Sequence, residues 1–226
     1  MDPIAANLDK INRKIAAAAS KAGRDPGEIK LIAVSKTHPA ETVAEAIAAG
    51  QRIFGENKVQ EAEGKIQEIG RDTAEWHLIG HLQSNKARKA VELFDVIHSI
   101  HEIELARRLE RICIEEGRDT LPMLVQVDLA GEETKSGITE EELPEMIEFL
   151  KSCERLKFTG LMVLPPYFED PEATRPYFKR LRELRDRIIP GGELSMGMSH
   201  DFEVAIEEGA TMVRVGTAIF GEREYR

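Results

Sequence analysis

The chain has few cysteines, fewer basic than acidic residues and no long apolar run, and each of these features excludes a class of protein. Its two cysteines, Cys113 and Cys153, stand alone in predicted helices and form no metal-binding or disulfide pattern, as expected in a reducing compartment. The net charge of −10 argues against non-specific nucleic-acid binding, which needs basic surfaces. No apolar run approaches the ~20 residues of a membrane span, and residues 1–21 have the spacing of an amphipathic helix rather than a secretion signal. We therefore expect a cytoplasmic protein that binds neither membranes nor nucleic acid.

The chain also lacks any linker rich in proline, glycine or serine, which predicts one domain over residues 1–226. Short β-branched runs predict strands at 30–35, 52–55, 76–80, 96–98, 123–129, 157–163, 193–195 and 211–215. Amphipathic patterns predict helices between them at 40–49, 58–67, 86–93, 103–116, 140–153, 171–189 and 200–208. This alternation predicts a parallel sheet, and about eight units predict a TIM-type (β/α)₈ barrel with an additional N-terminal helix. An open doubly wound sheet is the alternative.

The first predicted strand ends in a single lysine. Residues 31–35 are mostly apolar, Lys36 follows them, and Pro39 stops the strand. Lys36 is therefore expected at the carboxyl end of the sheet, where α/β folds bind their ligands. A desolvated lysine at such a position can lose its proton and form a Schiff base with an aldehyde.

The last two strand ends have the residues of a phosphate site. Ser199 is expected to cap a helix, and the loops after the last two strands often bind phosphate in barrels. The N–H groups of Gly216 and Thr217, with the hydroxyls of Ser199 and Thr217, would surround the phosphate. The alternative is that Ser199 only caps a helix and Gly216 only forms a turn. Together with Lys36, the pattern indicates a phosphorylated aldehyde, pyridoxal 5′-phosphate (PLP).

Arg214 is an arginine within the apolar last strand. The first and last strands of a closed barrel are neighbours, so Arg214 is expected near Lys36. An arginine facing the PLP pyridine nitrogen would donate a hydrogen bond and keep that nitrogen unprotonated, which weakens the ring as an electron sink. A salt bridge to Glu56 is the alternative.

Two further residues, Asn57 and His81, follow the second and third predicted strands and are expected to reach a ligand at the same face. Asn57 has the alternative of capping the helix that begins at Lys58. The spacing of His77 and His81 suits zinc only on a helix, so we expect no metal.

Several motifs, in order along nearly the whole chain, resemble one known family. They are Ala33-Val34-Ser35-Lys36-Thr37, Phe54-Gly55-Glu56-Asn57, Trp76-His77-Leu78-Ile79-Gly80-His81-Leu82-Gln83-Ser84-Asn85-Lys86, Gly131-Glu132-Glu133-Thr134-Lys135-Ser136-Gly137, Gly160-Leu161-Met162, Ser195-Met196-Gly197-Met198-Ser199 and Arg214-Val215-Gly216-Thr217. The chain resembles the pyridoxal phosphate homeostasis proteins, single-domain relatives of the alanine racemase N-terminal barrel. The resemblance implies PLP bound covalently to Lys36, a phosphate site at Ser199, Gly216 and Thr217, and Arg214 at the pyridine nitrogen. His101 and Glu102 depart from the family pattern, away from these motifs.

The sequence favours a carrier over an enzyme. Racemases of this barrel class have a second domain that supplies a catalytic tyrosine, and the chain ends at Arg226 without one. We therefore expect a monomeric PLP-binding protein that acts in vitamin B6 and amino-acid homeostasis without strong turnover, and that exchanges PLP with free amino acids, amines or apo-enzymes. The alternatives are a weak racemase, with Lys36 and either Tyr167 or His81 as acid and base, and a cofactor-free aldolase that uses Lys36.

Overall fold

The computed structural model describes residues 3–131 and 136–221, which form a closed barrel of eight parallel strands. The strands are β1 Lys30–Val34, β2 Ile53–Glu56, β3 Glu75–Leu78, β4 Val96–Ile100, β5 Leu121–Gln126, β6 Leu156–Met162, β7 Glu193–Met198 and β8 Met212–Val215. They follow one another around the barrel in chain order, and β8 pairs with β1, where Ile32 lies opposite Arg214. The barrel prediction is confirmed, and the open-sheet alternative is wrong because β1 and β8 are hydrogen-bonded neighbours.

Helices follow the strands and cover the outside of the barrel. They are α1 Pro3–Lys21, α2 Ala40–Ala48, α3 Val59–Ile69, α4 Ala87–Leu93, α5 Ile103–Glu115, α6 Leu143–Ser152, α7 Arg175–Ile188, α8 Phe202–Glu207 and α9 Thr217–Phe220. The predicted N-terminal helix is α1, which packs against α8 and α9. Its Asn7 side chain donates to the carbonyl of Ile219 at 2.9 Å. The sequence interpretation of residues after β8 as a loop is wrong, because α9 begins directly after Gly216.

The alternation of side chains along each strand separates two environments. Leu31 and Ala33 of β1 belong to the large apolar cluster between the barrel and its helices. Val34 lies on the opposite face and borders a cavity at the carboxyl end of the strands. Residues directly after the strands therefore stand around one opening, as in other barrels of this kind.

The two cysteine thiols are chemically quiet. Burial raises the pKa of Cys113 to about 11, and it does the same for Cys153. Both thiols therefore stay protonated near neutral pH.

In residues 3–131 and 136–221, no group of three or more histidine, cysteine or acidic side chains is arranged to hold a metal ion. No helix in the same residues is both long and apolar enough to traverse a bilayer.

Candidate functional site

A cavity of about 490 Å³ opens at the carboxyl ends of the strands, within the range of roughly 300–1,000 Å³ found for small-molecule sites. Strands β1, β7 and β8 and the segments directly after β1, β2, β3, β6, β7 and β8 contribute its walls. Its lining residues are Val34, Lys36, His38, Asn57, Ile79, Leu164, Pro165, Tyr167, Met198, Ser199, His200, Arg214, Gly216 and Thr217. Six of the seven residues predicted to bind a cofactor are therefore brought together: Lys36, Asn57, Ser199, Arg214, Gly216 and Thr217.

The seventh predicted residue, His81, lies outside this set. It is exposed, and its ring centroid is 5.3 Å from that of His101. Gly80 precedes it where the ends of β2 and β3 nearly touch, since a Cβ atom at Gly80 would lie 2.4 Å from the carbonyl oxygen of Asn57. The contact of His81 with a cofactor stays a prediction.

Lys36 is held through the backbone on both of its sides. The Lys65 ammonium donates to the carbonyl of Ser35 at 2.7 Å, and the N–H of Thr37 donates to the carboxylate of Glu61. Thr37 has φ of +69°, and among the described residues it is the one non-glycine with a positive φ. This conformation costs a β-branched residue about 1–3 kcal/mol, so the surrounding contacts fix the segment that bears the lysine.

The same contacts extend into a buried ionic network behind Lys36. Glu56 and Lys65 are 0% and 7% exposed and form an ion pair of 2.7 Å. The Ser35 hydroxyl also donates to Glu56, at 2.6 Å. Burial raises the pKa of Glu56, while Lys65 and Ser35 oppose that change. The alternative pairing of Glu56 with Arg214 is wrong, since Lys65 is the cation at this carboxylate.

The sequence reasoning missed Lys65. The residue lies in α3, and its ammonium is also 2.8 Å from Glu61, four residues earlier. That spacing of Glu61 and Lys65 was the available signal, but it resembles an ordinary exposed helix pair. Only the packing of α3 against β1 and β2 shows that the lysine is buried.

Ser199 and Gly216 contact each other across the ends of β7 and β8. The Gly216 N–H donates to the Ser199 hydroxyl oxygen at 3.2 Å, and its contact with a phosphate stays a prediction. The Ser199 hydroxyl hydrogen remains a donor that can point into the cavity. A Cβ atom at Gly216 would lie 3.1 Å from the Val34 carbonyl oxygen, which explains the glycine.

The prediction that Ser199 caps the following helix is also wrong. Helix α8 begins at Phe202, and its N-cap residue is Asp201. The Asp201 carboxylate turns back to accept from the N–H of Met198 at 2.7 Å. A turn thus separates β7 from α8, and this turn leaves Ser199 at the cavity. Asn57 likewise does not cap α3, whose N-cap residue is Lys58.

Arg214 is 3% exposed and is held by two uncharged acceptors. Its Nη1 donates to the Ser195 hydroxyl oxygen at 2.5 Å, and its Nη2 donates to the carbonyl of Val163 at 2.9 Å. Burial lowers the pKa of Arg214 to about 10, so it remains a cation at neutral pH. The guanidinium is therefore fixed from behind while it borders the cavity.

The cavity mouth contains an aromatic pair that the sequence did not reveal. Tyr167, 77% exposed, lies with its ring centroid 5.6 Å from that of His200. His200 Nε2 is 3.0 Å from the carbonyl of Glu169. The sequence offered Tyr167 as an acid or base, whereas His200 had no predicted role beyond the start of the helix at 200–208. Within the motif at residues 131–137, Glu132, Glu133, Thr134 and Lys135 lie outside the described residues.

Comparison with known proteins gives consistent matches over the whole chain. Residues 6–224 match the family described as alanine racemase, N-terminal domain. The pyridoxal phosphate homeostasis protein of Pseudomonas aeruginosa is 46% identical over 226 residues, covering 100% of this chain and 98% of that protein. Its counterpart in Escherichia coli strain K12 is 46% identical over 235 residues, covering 100% and 99%. The structure of PipY from Synechococcus elongatus PCC7942 with PLP bound is 44% identical, with a TM-score of 0.78, covering 92% of this chain and 100% of that chain.

Proposed function

We propose that this chain binds PLP and acts in PLP homeostasis. The premise is that it belongs to the alanine racemase N-terminal domain family and is similar over its whole length to pyridoxal phosphate homeostasis proteins. One observation carries the proposal: Lys36, Ser199, Arg214 and Thr217 border a single cavity at the carboxyl end of the barrel. PipY, whose structure has PLP bound, is 44% identical to this chain.

The donor groups around the cavity fit PLP. PLP carries an aldehyde and a phosphate on a pyridine ring. The cavity offers an amine that can react with the aldehyde and hydroxyls that can bind the phosphate. Lys36 would hold the aldehyde carbon as a Schiff base, while the hydroxyls of Ser199 and Thr217 would bind the phosphate. The cationic Arg214 would donate to the ring nitrogen. Asn57 borders the same cavity and is proposed as a further contact.

The residues of this chain favour holding PLP over strong catalysis. When bound, PLP supplies an electrophilic carbon and an electron-withdrawing ring. Arg214 stays protonated at neutral pH because its pKa is about 10, so it donates to the ring nitrogen and cannot protonate it fully. This arrangement limits electron withdrawal. We therefore propose a cytoplasmic, monomeric carrier that exchanges PLP with free amino acids, amines or apo-enzymes.

A weak PLP-dependent activity is the second candidate function. One observation favours it: Tyr167 borders the same cavity as Lys36, and its ring lies beside that of His200, so it would supply a second acid or base. Exchange of amino-acid α-protons in deuterated water separates the candidates. Sustained exchange by the wild type that is lost in Tyr167→Phe would support an enzyme, whereas no exchange above free PLP would support a carrier.

The decisive experiment is the visible absorption of the protein after incubation with PLP, before and after borohydride reduction. The wild type should show a yellow band that bleaches on reduction, with PLP attached to Lys36 by peptide mapping. Lys36→Ala should lack the band and keep its fold. Lys58→Ala is the matched control, because Lys58 is an exposed lysine close to the same strand ends and its loss should leave the band unchanged. An equal band in Lys36→Ala would refute the assignment of Lys36.

A further inference from the structure

A chain of hydrogen-bonded side chains crosses the interior of the barrel and ends at Arg214. Glu75 Oε1 lies 2.8 Å from His77 Nε2, and His77 Nδ1 lies 2.8 Å from His98 Nε2. His98 Nδ1 is in turn 2.8 Å from the Ser195 hydroxyl, which accepts from Arg214. We call these five residues the interior chain.

The interior chain connects the two ends of the barrel. Glu75 is the first residue of β3, at the end opposite the cavity, and its side chain is 45% exposed. His77, His98 and Ser195 are each 0% exposed. Strands β4 and β7 are not neighbours in the barrel, so the bond between His98 and Ser195 must cross the interior. The interior chain therefore links solvent at the amino end with Arg214 at the cavity.

Hydrogen-bond chemistry gives the interior chain one direction. A guanidinium only donates, so the Ser195 oxygen accepts from Arg214, and we assign its own hydrogen to His98 Nδ1, the second contact of this hydroxyl. Burial keeps the pKa of His98 well below 6.5. His98 therefore carries one ring proton, which must lie on Nε2 because Nδ1 accepts.

The same assignment extends to the other end of the barrel, and every donor along it meets an acceptor. His98 Nε2–H donates to His77 Nδ1, which places the His77 proton on Nε2, where it donates to Glu75. The reverse direction would require a buried, doubly protonated His77, and the Ser195 hydroxyl hydrogen would have no acceptor among the described residues. The interior chain thus runs from the Arg214 cation to the Glu75 anion through two neutral imidazoles.

We infer that Glu75, His77, His98 and Ser195 are positioning residues that hold Arg214 against the ring nitrogen of PLP, with Glu75 setting the direction of the interior chain from the far end of the barrel. This inference rests on the proposed function. The ionised Glu75 fixes the tautomer of His77, and His77 fixes that of His98. The Ser195 hydroxyl is then locked as a donor to His98 and as an acceptor for Arg214, and each bond in such a series polarises the next.

The test begins with the protein free of PLP, using ¹⁵N chemical shifts of the histidine ring nitrogens. In the wild type both His77 and His98 should carry their protons on Nε2. Glu75→Ala should release the Nε2 proton of His77 and populate the other tautomers, whereas Glu75→Gln should preserve the wild-type pattern because its amide oxygen still accepts. Glu193→Ala is the matched control: Glu193 is the first residue of β7 at the same end of the barrel and pairs with Lys30 at 2.9 Å. It should change neither tautomer.

The same variants are then titrated with PLP. In Glu75→Ala the Arg214 guanidinium should lose its fixed orientation, so PLP binding should weaken roughly two- to fivefold, on the scale of one hydrogen bond. Glu75→Gln and Glu193→Ala should bind PLP with near wild-type affinity. Unchanged tautomers in Glu75→Ala would overturn the inference, as would changed tautomers with unchanged PLP affinity. Absence of PLP binding by the wild type would instead overturn the proposed function, and the tautomer measurement would still report on the interior chain by itself.

Discussion

Two buried polar networks support two neighbouring parts of the cavity, the end of β1 and the end of β8, and they are built from different chemistry. The wall network consists of Ser35, Glu56, Glu61 and Lys65, lies between the barrel wall and α3, and contains buried charges of both signs. The interior chain consists of Glu75, His77, His98, Ser195 and Arg214, and its buried middle is neutral. One network fixes the backbone around Lys36, and the other fixes the side chain of Arg214.

The difference shows how each network meets the cost of burial. The wall network places the ionised pair Glu56 and Lys65 out of water, and such a pair recovers its desolvation cost only through close contacts. The interior chain places its charges at its ends, where Glu75 reaches solvent and Arg214 borders the cavity. Removal of one member should therefore cost more stability in the wall network than in the interior chain.

The largest expected effect is that of Lys65→Met. The substitution leaves the buried Glu56 carboxylate without its cation, and breaking a buried pair in this way costs about 3–5 kcal/mol. Urea unfolding near neutral pH should show this loss. The substitution Lys65→Met should also weaken PLP binding, because the carbonyl of Ser35, next to Lys36, loses its hydrogen-bond donor.

The double variant Glu56→Gln/Lys65→Met is the control for that interpretation. A neutral amide needs no cation, so the double variant should recover part of the stability lost in Lys65→Met, as a positive coupling in a double-mutant cycle. Equal losses in the single and the double variant would show that Lys65 contributes packing rather than charge neutralisation.

A smaller loss is expected for Ser195→Ala in the interior chain. The substitution removes the hydroxyl between Arg214 and His98, so one buried donor and one buried acceptor lose their partner, at about 1–3 kcal/mol. The carbonyl of Val163 still holds Arg214 Nη2. Urea unfolding of Ser195→Ala and Lys65→Met, measured side by side, tests which network contributes more to stability. A greater loss of unfolding free energy in Ser195→Ala would reverse the comparison.

The sequence predicted the part of this site that depends on position along strands. Each predicted strand overlaps an observed one. Because the carboxyl ends of parallel strands meet at one face, the sequence alone predicted that Lys36, Asn57 and Arg214 lie at the same site. The phosphate side was predicted as a region, but the roles within it were not. Whether Ser199 caps α8 or accepts from Gly216 depends on a turn that delays the helix to Phe202.

Neither buried network could be predicted from the sequence. The interior chain joins residues of β3, β4, β7 and β8, and its central bond links His98 to Ser195, 97 positions apart. Nothing local marks such a pair, since a histidine or a serine in a strand also occurs in an ordinary core. The wall network was hidden for the opposite reason, because the spacing of Glu61 and Lys65 is common on exposed helix faces.

The smallest effects concern pH, where the two networks should respond with opposite sign. Burial raises the pKa of Glu56 above 4.5, so its contribution to stability is fully present below 4.5 and is lost as pH rises through the raised value. The hydrogen bond from His77 lowers the pKa of Glu75 below 4.5, so its contribution is present above 4.5 and is lost as pH falls through the lowered value. Urea unfolding between about pH 3 and 7 should thus show the advantage of wild type over Glu56→Gln shrinking as pH rises, and its advantage over Glu75→Gln growing. If both differences changed in the same direction, the two carboxylates would not sit in the contrasting environments that distinguish the wall network from the interior chain.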